Sequence, residues 1–200
     1  MSLTRLITQL KTDLNSKPAP GEVLNHLMEE KLKELEAQYK DQIDRTVLWI
    51  GSLIADLFIY EAKESGDITK HVPMALEYVK QVIKDNKIPT AQAEIILEII
   101  ATHHGGEQKF LESKLYKNAD CFKFLLPEGV FHIFSAFYKN DLTSLKEAME
   151  HTIFKIDEKY KLVDLNNQLK AEAKELYDHW QGLFSKTPYE LTIPALYKKN

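Results

Sequence analysis

The stretch from Ile43 to about Ala62 is apolar on nearly every side. A helix of that kind has no face to offer water, so it belongs at the centre of a fold and obliges its neighbours to cover it. Ser52 and Asp56 interrupt the run from Val47 to Tyr60, which is too short and too polar to span a bilayer. Asp56 is the anomaly: a carboxylate within such a helix requires a cation or several hydrogen-bond donors.

The rest of the chain supplies the cover. Leu3, Leu6, Ile7, Leu10 and Leu14 form one helical stripe, closed by the breaker Asn-Ser-Lys-Pro-Ala-Pro-Gly at 15–21. Val23, Leu24, Leu27, Met28, Leu32, Leu35 and Tyr39 form a second, from about Glu22, with a charged outer face. After Glu-Ser-Gly-Asp (64–67), Thr69 is placed to cap a helix from about Lys70 to Lys84, and Thr90 to cap one ending in His103-His104. Helices are further expected over 111–126, over 130–138, from 141–144 to about Tyr160 with Ser144 and Glu147 at capping-box spacing, and over about 164–184. The aromatic set Phe122, Phe124, Phe131, Phe134, Phe137 and Tyr138 reads as core. No segment alternates with period two, and no internal repeat occurs. The expected class is all-α, with eight or nine helices.

A formal net charge of −4 and only two arginines, Arg5 and Arg45, argue against a nucleic acid polymer or an anionic membrane as partner. Cys121 is the only cysteine, so no intrachain disulfide is available, and no secretory signal pattern is visible at the N-terminus. A cytoplasmic location is the resulting expectation; composition gives no oligomeric state.

Seven histidines are present. His26, His71, His103 and His104 lie near helix ends beside apolar faces, and Asp56 and Asp120 stand in apolar surroundings. Imidazole nitrogens and carboxylate oxygens are the usual ligands of Zn, Fe, Mn and Ni. Blander accounts exist for each: His26 as a boundary residue, His71 as a first-turn residue, His103-His104 as imidazoles favoured by a helix C-terminus, and Asp120 as a cap. His132, His151 and His179 carry no such pattern and read as structural or surface residues.

Taken in order, His26, Ala55-Asp56, His71, His103-His104 and Asp120 resemble the motif series of the HD-domain metal-dependent phosphohydrolase superfamily. LWIGSLIADLF (48–58) resembles that family's apolar helix ending in His-Asp. KHVPMALEYVKQVI (70–83) resembles its next helix, EIILEIIATHHGGE (94–107) its helix ending in His-His, and LYKNADCFKFLLPEGVFHIF (115–134) its segment with the closing aspartate. The resemblance implies an HD-like helical domain over 22–185, an N-terminal helix and linker over 1–21, and an irregular tail over 186–200.

It also implies two ligand sets. Asp56, His71, His103 and His104 would form one that is complete. His26, Asp56 and Asp120 would form another, impaired because Ala55 stands where the family has its defining histidine. The implied cofactor is a divalent metal ion (Mn, Fe, Ni, Co, Zn or Mg), and the implied partner is a small phosphorylated metabolite or nucleotide. Lys117 and Lys123 would offset charge on the phosphate, and Glu107 would orient the water. A catalytically degenerate binding or interaction protein is the alternative, and a di-iron oxygenase, which needs both sites, a further one.

Overall fold

A computed structural model describes residues 3–15, 21–140 and 144–191. Among these residues the chain is all-α, without strands. Nine helices run eleven residues or more: α1 (Leu3–Asn15), α2 (Gly21–Gln38), α3 (Arg45–Ala55), α5 (His71–Asn86), α6 (Thr90–Thr102), α7 (Leu111–Phe122), α8 (Pro127–Asn140), α9 (Leu145–Leu162) and α10 (Asn167–Phe184). The six-residue α4 (Ile59–Glu64) and a 3-10 turn over Ile68–Lys70 lie between α3 and α5. Residues 16–20 of the expected breaker, the expected start of α9 at 141–143, the tail from 192 and the side chain of Phe137 fall outside the described residues. No helix of the described residues is long and apolar enough to cross a membrane.

The chain divides into two compact units, one of residues 1–19 and 32–117, the other of residues 20–31 and 118–200. In the first, α3 is the central element that its composition demands. Val47, Leu48, Ile50, Leu53, Ile54 and Ala55 are all buried, and α1, α5 and α6 pack on it. Asp44 caps it: one carboxylate oxygen accepts from the amides of Thr46 (3.0 Å) and Val47 (3.2 Å), the other from Gln92 Nε2 of α6 (2.6 Å). The Asp44 amide in turn donates to Glu112 of α7 at 2.8 Å. A single N-cap thus ties the starts of three helices together.

Gly51 lets α3 and α6 approach closely. A Cβ added there would stand 2.7 Å from Cδ1, 2.9 Å from Cγ2 and 3.0 Å from Cβ of Ile99. Further along, Glu36 of α2 is buried and its carboxylate serves two groups of α3, accepting from Trp49 Nε1 at 2.8 Å and from Arg45 Nε.

In the second unit, α9 packs against both α8 and α10. Trp180 Nε1 donates to the Leu125 carbonyl at 2.7 Å, and Tyr177 donates to Asp157 at 2.9 Å, so each buried aromatic of α10 has a partner for its polar atom. Ser144 caps α9 by accepting from the Glu147 amide at 3.2 Å and donating its hydroxyl proton to the Glu147 carboxylate at 2.9 Å.

Three expectations need correction. The apolar run 43–62 is not one helix: α3 stops at Ala55, Asp56 takes φ −102° and ψ 9°, and α4 begins three residues later. The Leu57 amide donates to the Ile54 carbonyl at 3.1 Å, a tightened turn at the helix end. Thr69 does not cap α5: Asp67 caps the 3-10 turn before it, accepting from the Thr69 amide at 3.1 Å, and Lys70 precedes α5 without a side-chain cap bond; Thr90 is the first residue of α6, with Pro89 before it. Of the aromatic set, Phe122 is buried, but Phe131 and Tyr138 are exposed by 66% and 51%. Apolar character alone does not show which side of a helix finds a neighbour.

Candidate metal centre

Three helix ends in the first unit converge. Asp56 follows the last residue of α3, His71 is the first residue of α5, and His103 and His104 follow the last residue of α6. The ligand atoms of these four side chains all lie within 4.8 Å of one another, and they are the one such group of three or more among the described residues. His71 and His103 are buried, Asp56 is 15% exposed at its side chain, and His104 is exposed. The group therefore has a protein-lined floor and one side open to water.

Two of the imidazoles are fixed in the same manner. His71 Nδ1 lies 2.5 Å from the carbonyl oxygen of Ile68, and His103 Nδ1 lies 2.8 Å from that of Ile100. A carbonyl oxygen only accepts, so each Nδ1 carries a proton and each ring turns its Nε2 toward the group. Those Nε2 atoms are 3.4 Å apart. His104 Nε2 is 2.9 Å from His71 Nε2, and Asp56 Oδ1 stands 3.7 Å from His71 Nε2 and 3.5 Å from His103 Nε2. Nitrogens and a carboxylate oxygen this close are held favourably by a cation among them or by N–H donation from His104 Nε2 to His71 Nε2.

The donor set fits a metal ion. Metal–nitrogen and metal–oxygen bonds of about 2.0–2.1 Å in a tetrahedron separate neighbouring ligand atoms by roughly 3.3 Å. The four separations above, 2.9, 3.4, 3.5 and 3.7 Å, bracket that value. The carbonyls of Ile68 and Ile100 supply the outer hydrogen bonds that orient ligating histidines. Asp56, His71, His103 and His104 can thus hold a metal ion.

The remaining candidates lie outside this group. His26 is 67% exposed on α2 and sits 3.3 Å from Glu30, one turn along. Asp120 is buried on α7 and held by two ammonium groups, Lys123 Nζ at 2.6 Å and Lys159 Nζ at 3.2 Å. Lys123 and Lys159 are themselves buried, and each lies about 5 Å from the centre of the Phe124 ring, at 5.1 and 5.0 Å. Burial alone would push the Lys159 ammonium down; the Asp120 carboxylate outweighs it and holds Lys159 above the ordinary lysine range. Burial, and then Lys123, lower His132. Lys117 is buried, and Glu107 is exposed three residues beyond His104.

Sequence reasoning found the four grouped residues but missed the carbonyls of Ile68 and Ile100. The signal was present, because both stand three residues before their histidines on the same helical turn. Comparison with protein-family models, with curated proteins and with solved structures gives no match.

Proposed function

We propose that this chain is a metal-dependent phosphohydrolase of a small phosphorylated metabolite or nucleotide, working with one ion held by Asp56, His71, His103 and His104. The observation that supports the metal is that one ligand atom from each of His71, His103, His104 and Asp56 lies within 4.8 Å of the others. The substrate class rests on the resemblance of the motif series to the HD-domain superfamily. Three imidazole nitrogens and a single carboxylate favour Zn, Fe, Co or Ni over Mg, which prefers an oxygen shell.

A bound divalent ion supplies a water of lowered pKa and a Lewis acid toward a phosphoryl oxygen. The chain's residues provide the setting. Buried His71 and His103 fix the inner ligands through their Nδ1 protons, and Asp56 contributes the negative charge that favours a cation. Exposed His104 and the partly exposed Asp56 border the open side, where a small ester reaches the group. Glu107, three residues past His104, is the candidate to accept a proton from the attacking water. Lys123 is engaged by Asp120, so charge compensation by lysine rests on Lys117 in this reading.

The test is metal analysis of protein purified without chelator, paired with hydrolysis of p-nitrophenyl phosphate. The expected result is about one ion per chain and metal-dependent turnover, both lost in His103→Ala. An equal metal content in wild type and His103→Ala would overturn the ligand assignment. Metal retained without turnover on any phosphate ester would favour the second reading, a binding or interaction protein without catalysis. Ala55 and the lysines seated on Asp120 favour that reading, and they weigh against a two-iron oxygenase.

A further inference from the structure

His103 and His104 open an eight-residue connection to α7 that includes two glycines in left-handed conformations, Gly105 at φ 129° and Gly106 at φ 105°. Glycine has the widest conformational freedom of any residue, so two adjacent glycines give this connection much to lose on ordering. His103 is secured by burial and by the Ile100 carbonyl. His104 is exposed and directly precedes the glycines, so its place depends on how the connection is closed.

Glu98 closes it. This α6 residue, one turn before Thr102, accepts at the same carboxylate oxygen, Oε1, from the Lys109 amide at 2.8 Å and the Phe110 amide at 2.9 Å. These are the last two amides before α7, where a negative charge also suits the helix dipole. Inside the loop, Gln108 Nε2 donates to the carbonyls of Thr102 (3.2 Å) and Gly106 (2.8 Å), and the Gly105 amide to Thr102 at 2.9 Å. One carboxylate thus joins the two ends of the histidine loop across eleven and twelve residues.

We infer that Glu98 is a positioning residue for the metal site, acting through His104: by clamping the Lys109 and Phe110 amides to α6 it holds the glycine loop in the one conformation that brings His104 Nε2 to His71 Nε2. This rests on the metal reading above and adds to it a residue that touches no ligand atom. Glu98 belongs to the outer support of the site, like the carbonyls of Ile68 and Ile100, but it acts on the backbone rather than on a ring.

The experiment measures Co²⁺ affinity, by competition with a chromophoric chelator, together with the visible absorption of the Co²⁺ form. Wild type, Glu98→Ala, Glu98→Gln, His104→Ala and the double variant Glu98→Ala/His104→Ala are compared. Loss of an outer-shell support typically weakens metal binding by about 10–100-fold. Glu98→Ala is expected to fall in that range. Glu98→Gln, whose amide oxygen still accepts, should stay within about threefold of wild type.

The double variant should be no weaker than His104→Ala alone, because effects routed through one residue do not add. The Co²⁺ spectrum of Glu98→Ala should match that of His104→Ala. In metal-free protein, amide exchange at 104–110 should rise at least tenfold in Glu98→Ala while α3 and α5 are unchanged. Wild type that binds Co²⁺ while Glu98→Ala binds equally well, or a Glu98→Ala loss that persists in full on the His104→Ala background, would overturn the clamp and leave the metal site standing. Wild type that takes up no Co²⁺ or Zn²⁺ would overturn both.

Discussion

His71 Nε2 and His104 Nε2 stand 2.9 Å apart, one from the start of α5 and the other from the loop after α6. With the Ile68 carbonyl accepting from His71 Nδ1, the two Nε2 atoms meet through an N–H of His104 or, in the metal reading proposed above, around a shared cation. Metal binding should therefore be worth a good deal to the fold. An ion present at a hundred times its dissociation constant stabilises by about 2.7 kcal/mol. For Zn²⁺ or Co²⁺ that predicts a clear rise in thermal midpoint over chelator-treated protein, and Mg²⁺ should give little or none at the same concentration. Differential scanning calorimetry with each ion checks it.

Ala55 stands where the motif series that this chain resembles would have a histidine, and its surroundings bear on what placing one there would do. Ala55 is fully buried. Ala55→His has to insert an imidazole into packed surroundings, an overpacking cost of about 1–3 kcal/mol. The expected outcome of Ala55→His is a lower denaturation midpoint with metal content still near one ion per chain. A content near two, at unchanged stability, would contradict this.

Asp120 and its two lysines form a buried ion triad. Removing one partner from such a group leaves charge uncompensated and costs about 3–5 kcal/mol. Asp120→Asn should show a loss of that order in urea denaturation and should leave Co²⁺ affinity unchanged, because Asp120 is not in the four-residue group.

Lys159 gives the same triad a pH signature. Its pKa is raised in the folded chain, so the stability it contributes is present in full below the unfolded lysine value, roughly 10.4, and is lost as pH rises through the folded value. The stability difference between wild type and Lys159→Met should therefore be constant between about pH 6 and 9 and shrink only in more alkaline solution. A difference that changes across that neutral window would assign it to other groups.

Gly51 yields a packing prediction. The alanine methyl would meet Ile99 at 2.7–3.0 Å, so α3 and α6 must separate by a few tenths of an ångström or Ile99 must leave its rotamer. Gly51→Ala should cost about 1–3 kcal/mol despite the better helix propensity of alanine. Thermal denaturation of metal-free protein measures it apart from any metal effect.

Much of this molecule can be read from its sequence, for identifiable reasons. Helical period and breakers are local, so the all-α class and most helix positions follow from residues such as Leu6, Leu10, Leu32 and Leu35, all of which are buried. His71, His103 and His104 stood out as ligating groups near helix ends, and Asp56 as a carboxylate within an apolar run. The break at Asp56 was not legible, because no glycine or proline marks it and the apolar pattern continues through Leu57 and Phe58. The lysines on Asp120 were legible in part: Lys123 is one turn away on the chain, but Lys159 lies thirty-nine residues on and meets Asp120 only through tertiary packing. The pairing of His26 with Glu30 is an i,i+4 relation visible in the sequence, yet its exposure is not.

Gly51 and Ile99 touch five residues before Asp56 and four before His103. At 1.5 Å per residue that is about 7 and 6 Å short of the two ligands. The close approach of α3 and α6 thus lies within about two helical turns of the residues grouped at their ends. Metal–ligand distances tolerate about 0.2 Å. A methyl group added at Gly51 is therefore expected to shift the helix ends that carry Asp56, His103 and His104 without altering any of the four grouped residues.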